Sequence, residues 1–210
     1  MVSQLPIHLL DPTGASVGLT TPRYDPTSGR VIWTAPGTGG GGGGGRTVLS
    51  KQVLAADTAQ ISFTAIPGTY EHLQLLLRTR STGSSGASAQ DYLKVALNGD
   101  ATLTNYASRI LFAAGSVNNL ASNYAAMVPG SGAVAGSAGE LDMLLPSYSG
   151  TTWPKVMRSQ FGWRFSATVP SVGDSFCEWA GTAAINAIAL TLGSGGNFVA
   201  GSVAYLYGVS

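Results

Sequence analysis

Charge is scarce in this 210-residue chain: Asp, Glu, Lys and Arg together make up 10% of it, against roughly 25% in an ordinary soluble domain. Eleven basic residues against ten acidic ones leave a net charge of +1. The eight arginines run from Arg23 to Arg164 without clustering, so there is no basic footprint for nucleic acid. One cysteine, Cys177, excludes an intrachain disulfide, and with only His8 and His72 beside it zinc has too few ligands. No stretch approaches the roughly 20 apolar residues of a membrane-spanning helix. The opening Met1–Pro6 lacks the basic and apolar regions of a secretory signal. The expectation is a chain made in the cytoplasm, unprocessed and without membrane insertion. Helical periodicity is also missing, and only Leu49–Ala56 allows a short helical turn.

What is present divides the chain in three. Residues 1–36 hold five prolines (Pro6, Pro12, Pro22, Pro26 and Pro36), which remove backbone donors and break regular elements. This segment reads as an extended arm that docks on a partner, with Leu9, Leu10, Val31, Ile32 and Trp33 as its apolar anchors. Arg30–Thr34 is its one strand-like island. Residues 37–46 form a glycine-rich linker, and Gly37–Gly45 would span about 30 Å when extended. The run ends in Arg46-Thr47-Val48, not the Gly-Lys-Ser or Gly-Lys-Thr of a phosphate-cradling loop, which excludes that kind of nucleotide site.

Residues 47–210 alternate apolar and polar positions in short segments cut by turn signals, the pattern of an all-β domain. Ile61–Ile66 stops at Pro67-Gly68; Leu73, Leu75 and Leu77 share one face of the next strand, with Gln74, Arg78 and Arg80 mostly on the other. Asp91–Leu97 ends at Asn98-Gly99, a tight-turn pair. Further strands are expected at Ser108–Phe112, Ser122–Met127, Leu141–Leu145, Val156–Phe165 and Phe176–Trp179. Ala187–Leu192 and Val203–Val209, joined through Gly193–Gly196, read as a closing hairpin. In its second strand Val203, Tyr205, Tyr207 and Val209 share one face, and Ala204, Leu206 and Gly208 the other. The architecture these segments predict is a jelly-roll-like two-sheet β-sandwich preceded by the extended N-terminal arm.

Chemistry is thin. A hydrolase needs a nucleophile held by a base, but His72 reads as a strand-edge residue in a structural hydrogen bond, and no nucleophile elbow is present. Glu140 and Asp142 are the best carboxylate pair, sharing a strand face at spacing two. Asp100, Asp142 and Asp174 are the residues from which a calcium site would be built, but no EF-hand spacing supports one. Asp91, like the other strand-end acids, reads as a turn cap. No catalytic, cofactor or metal site is assigned. Of Trp153, Trp163 and Trp179, Trp153 is expected to be exposed and is the candidate glycan contact, while tryptophans in such a domain more often fill the core.

Four stretches in order, Ile61–Leu73, Leu97–Asp100 with Asn105-Tyr106, Leu144–Tyr148 and the closing pair of strands, resemble β-sandwich domains of tailed-bacteriophage virion proteins. The resemblance covers roughly residues 50–210 and implies a non-enzymatic virion structural protein of the tail fibre, minor tail or head-decoration type. It implies other virion proteins as partners through the arm, a homotrimer, and a host-surface glycan as a possible ligand. Capsid decoration or a head fibre is the alternative position. A free carbohydrate-binding module and a cell-wall hydrolase are alternatives of other classes; the first is opposed by the missing signal, the second by the missing site.

Overall fold

The computed structural model describes residues 45–210 except 86–88, 113–115 and 121, with the backbone alone at 116–120, together with the backbone of residues 22–25 and 30–33. The chain forms two compact units, Met1–Gly43 and Gly44–Ser210. In the first, β1 (Pro22–Asp25) pairs antiparallel with β2 (Arg30–Trp33), Pro22 opposite Trp33 and Asp25 opposite Arg30. The arm thus carries a two-stranded ribbon where one isolated strand was expected. Proline is tolerated as a first strand residue, which is how Pro22 begins β1. Val31, Ile32 and Trp33 lie in β2, whereas Leu9 and Leu10 fall outside the described residues.

The second unit is all-β. Its strands are β3 (Arg46–Val53), β4 (Gln60–Phe63), β5 (His72–Thr79), β6 (Gln90–Leu97), β7 (Tyr106–Phe112), β8 (Ser116–Leu120), β9 (Tyr124–Pro129), β10 (Gly139–Pro146), β11 (Lys155–Arg164), β12 (Pro170–Trp179), β13 (Ile188–Leu192) and β14 (Val203–Val209). One sheet has the order β3-β14-β5-β10-β11-β12-β7-β8 and the other β4-β13-β6-β9, with every pairing antiparallel. The orders β3-β14-β5-β10 and β4-β13-β6-β9 are those of an eight-strand jelly roll. Two hairpins are added to it: β7–β8 between β6 and β9, and β11–β12 between β10 and β13. Both widen the same sheet beyond β10.

Alternation builds the core. Leu73, Leu75 and Leu77 of β5, Met143 and Leu145 of β10 and Leu206 of β14 point inward from one sheet. Ile61 and Phe63 of β4, Leu93, Val95 and Leu97 of β6 and Leu190 of β13 point inward from the other. Asn98 and Gly99 take φ of 52° and 80°, the left-handed pair that a two-residue turn requires.

Three expectations are corrected. The closing strands do not form a hairpin, because β13 pairs with β4 and β6 while β14 pairs with β3 and β5 in the opposite sheet. Nor is the strand after Pro67-Gly68 a return strand, since β4 and β5 also lie in different sheets. The proposed helical turn at Leu49–Ala56 is mostly strand β3, which begins at Arg46 and so takes the last residue of the linker into the sheet.

Candidate functional site

The outward face of the larger sheet holds the most unusual surface of the domain. Register sets three rows of outward side chains running across the strands. The first is Val203, Arg78, Glu140, Gly162 and Val172; the second is Lys51, Tyr205, Leu76, Asp142, Gln160, Asp174 and Leu111. The third is Val48, Tyr207, Gln74, Leu144, Arg158, Phe176 and Arg109. Val48, Leu111, Leu144, Val172 and Phe176 are exposed, Val172 to 63%. An open groove of about 1370 Å³ crosses the first two rows. Gly162 carries no side chain, which deepens the floor between Glu140 and Val172.

The polar groups of the groove are largely unsatisfied by the protein itself. Asp142 is held by the Gln74 amide, whose Nε2 donates to both carboxylate oxygens at 2.7 Å. Arg78, Glu140, Gln160 and Asp174 make no side-chain hydrogen bond or ion pair among the described residues, although Arg78 and Glu140 sit opposite each other in register. The two tyrosines form a column: their rings lie 5.9 Å apart at 20°, with Lys51 over Tyr205 at 5.3 Å and Arg46 over Tyr207 at 6.0 Å. Their ring faces are occupied by each other and by the two cations. Edges and hydroxyls remain for a ligand.

Glu140 and Asp142 do share a face, as their spacing predicts. The residues weighed for calcium do not converge: Asp142 and Asp174 are separated by β11, and Asp100 lies in the turn after β6. There its carboxylate accepts from Trp179 Nε1 at 2.7 Å, Asn105 Nδ2 at 2.8 Å and Thr102 N at 2.9 Å. Those bonds, the indole first, lower its pKa from 3.8 to about 2. The neighbouring Tyr106 hydroxyl donates to the Asp100 carbonyl and accepts from Leu97 N; burial pushes it up to about 12. A carboxyl depressed on folding contributes stability above its unfolded pKa, near 3.8, and that contribution is lost as pH falls to about 2. Melting temperature measured across that window should fall less steeply in Asp100→Asn than in the parent; identical slopes would remove the turn carboxylate from the acid response.

Trp163 and Trp179 are buried, and Trp153 is 77% exposed, as expected. Its loop is pinned by a residue that sequence reading passed over. Lys155 is buried, and its ammonium donates to the carbonyls of Gly150 (2.6 Å), Trp153 (3.0 Å) and Thr182 (2.9 Å), three acceptors for three protons. Burial lowers its pKa. His72 is structural: its Nδ1 accepts from Ser147 N at 3.2 Å. Asp91 is no turn cap but an inward-facing, fully buried carboxylate of β6. Its Oδ1 accepts from Tyr92 N, Ser194 N and Ser85 Oγ, and its Oδ2 from Ser81 Oγ and Ser194 Oγ, at 2.5–3.0 Å. Cys177 is buried, which drives its thiol pKa up to about 12 and removes it as a nucleophile at neutral pH. No protein-family model, curated protein or solved structure matches the chain.

Proposed function

We propose that this chain is a non-enzymatic structural protein of a tailed-phage virion, a tail-associated fibre, tip or receptor-binding component. Residues 1–36 anchor it to the particle, residues 37–45 are the tether, and the sandwich is displayed, with copies associating as a trimer. The observation that carries this reading is the outward face of the larger sheet. It exposes Val48, Leu111, Leu144, Val172 and Phe176 among unpaired arginines and carboxylates, in a chain with only 10% charged residues. Such a patch suits contact with another molecule better than a free solvent face. The jelly-roll order of the strands and the resemblance of residues 50–210 to virion sandwiches support the same reading. Trp153 and the groove are the two places where such a component would meet a host-surface glycan.

Deleting residues 1–36 should leave a folded domain that no longer joins particles, read by immunoblot of purified virions from complemented infections. Normal incorporation would refute the anchoring role. Immunogold labelling of intact particles at the tail is expected; labelling over the head would assign the chain to capsid decoration instead.

A further inference from the structure

We propose that the groove across β14, β5, β10, β11 and β12 is a binding site for an uncharged oligosaccharide. This rests on the receptor-binding reading and places the glycan contact in the groove, not at Trp153. Glu140, Asp142, Asp174 and Arg78 line the groove, and Lys51, Arg158 and Arg109 stand beside it on the same outward face, so charges of both signs nearly balance and no single-sign field selects a charged polymer. The charged floor is equally wrong for a lipid or an apolar peptide, because each polar group would be desolvated without a partner. Strand addition is closed as well: β14, β5, β10, β11 and β12 all pair on both sides, so the groove offers side chains and no free backbone edge.

A sugar ring meets each of these conditions. Its hydroxyls both donate and accept, so they satisfy carboxylate, amide and guanidinium groups together without bringing a charge. Its C–H faces need aliphatic contact, which Leu76 and Val172 supply in the rows that carry Asp142 and Glu140. Glu140, Arg78, Gln160 and Asp174 are spent on no internal partner, and strand pairing fixes their spacing before any ligand arrives. Such pre-ordering lowers the entropic cost of binding. The groove volume, about 1370 Å³, exceeds the range of a single small-ligand pocket and suits several rings in a row. The Trp153 loop, by contrast, runs Ser147-Tyr148-Ser149-Gly150-Thr151-Thr152-Trp153-Pro154, without a carboxylate or amide side chain to fix a sugar's orientation.

The test uses the full chain on an array of neutral and acidic glycans, followed by calorimetry with the best neutral oligosaccharide at low and high salt. Retention of neutral glycans, with an affinity insensitive to salt, is the expected result. Gln160→Ala and Asp174→Ala, which break no internal bond, should each weaken binding about tenfold or more, as for one or two lost hydrogen bonds. Trp153→Ala should leave binding unchanged. The proposal is overturned if the array retains no neutral glycan, if only charged ligands bind and salt abolishes it, or if Trp153→Ala alone removes binding. It also falls if Asp174→Arg changes the sedimenting species, because the groove would then be a contact between subunits. None of these outcomes bears on where the chain sits in a particle, which the labelling experiment reads separately.

Discussion

A chain that stops after Gly201 is expected not to fold. Strand β14 lies between β3 and β5 and pairs along its length with both. Without it β3 has no partner in the sheet and β5 presents a raw edge to water. Two links at its ends are lost too: Leu54 N–H to the Ser202 carbonyl, and Glu71 N–H to the Val209 carbonyl, both 2.9–3.0 Å. So is the packing of Tyr70 over Gly208, where a β-carbon would sit 2.4 Å from the ring. Leu206, 1% exposed, belongs to the core, and its truncation to alanine alone should cost about 2–5 kcal/mol. Against a total stability of about 5–15 kcal/mol, losing the whole strand leaves no margin. Circular dichroism of the truncated chain should show no cooperative melt. A transition near the full-length temperature would mean that β14 is dispensable, contrary to its central place.

Asp91→Ala should be the most damaging single substitution of a polar residue, by about 3–5 kcal/mol, or roughly 10 °C in melting temperature. The carboxylate gathers two backbone N–H groups and three serine hydroxyls from three parts of the chain: Ser81 and Ser85, the start of β6, and the turn at Ser194. Alanine leaves those donors without their acceptor, the buried Ser81 hydroxyl above all, and each unsatisfied buried group costs about 1–3 kcal/mol before hydroxyls rotate elsewhere. Asp91→Asn keeps an oxygen for the two backbone donors and should cost only about 1–2 kcal/mol. Thermal melts of the two variants compare these directly. Equal and small losses would show that the loops are held by other contacts.

The strands were readable because one face of each is buried, so period two is written into β5, β6, β10 and β14. Their partners were not readable. A turn such as Pro67-Gly68 or Gly193–Gly196 has the same chemistry whether the chain returns along its own sheet or crosses to the opposite one. Strand β3 was misread for a local reason: its register slips at Leu206/Tyr207, where Val48 pairs with Tyr207 and Ser50 with Leu206, so its alternation is broken. Asp91 had a signal that went unused, since it stands in the inward register of Leu93, Val95 and Leu97. Of the groove, only the Glu140 and Asp142 pair on β10 was legible in the linear chain. Arg78, Glu140, Gln160 and Asp174 become neighbours only through pairings among β5, β10, β11 and β12, whereas exposed Trp153 could be picked out from its loop alone.

The place of β14 also sets a timetable. Strand β3 is made early, yet its sheet partner lies 150 or more residues further along the chain. During synthesis β3 therefore has no sheet partner, and β5 lacks one of its two flanking strands, until residues 203–209 leave the ribosome. Pairings this distant in sequence slow folding and prolong exposure of apolar strands to other nascent chains. Yield of folded protein should therefore depend more on how fast the chain is made, and on chaperone supply, than on the stability of the finished sandwich.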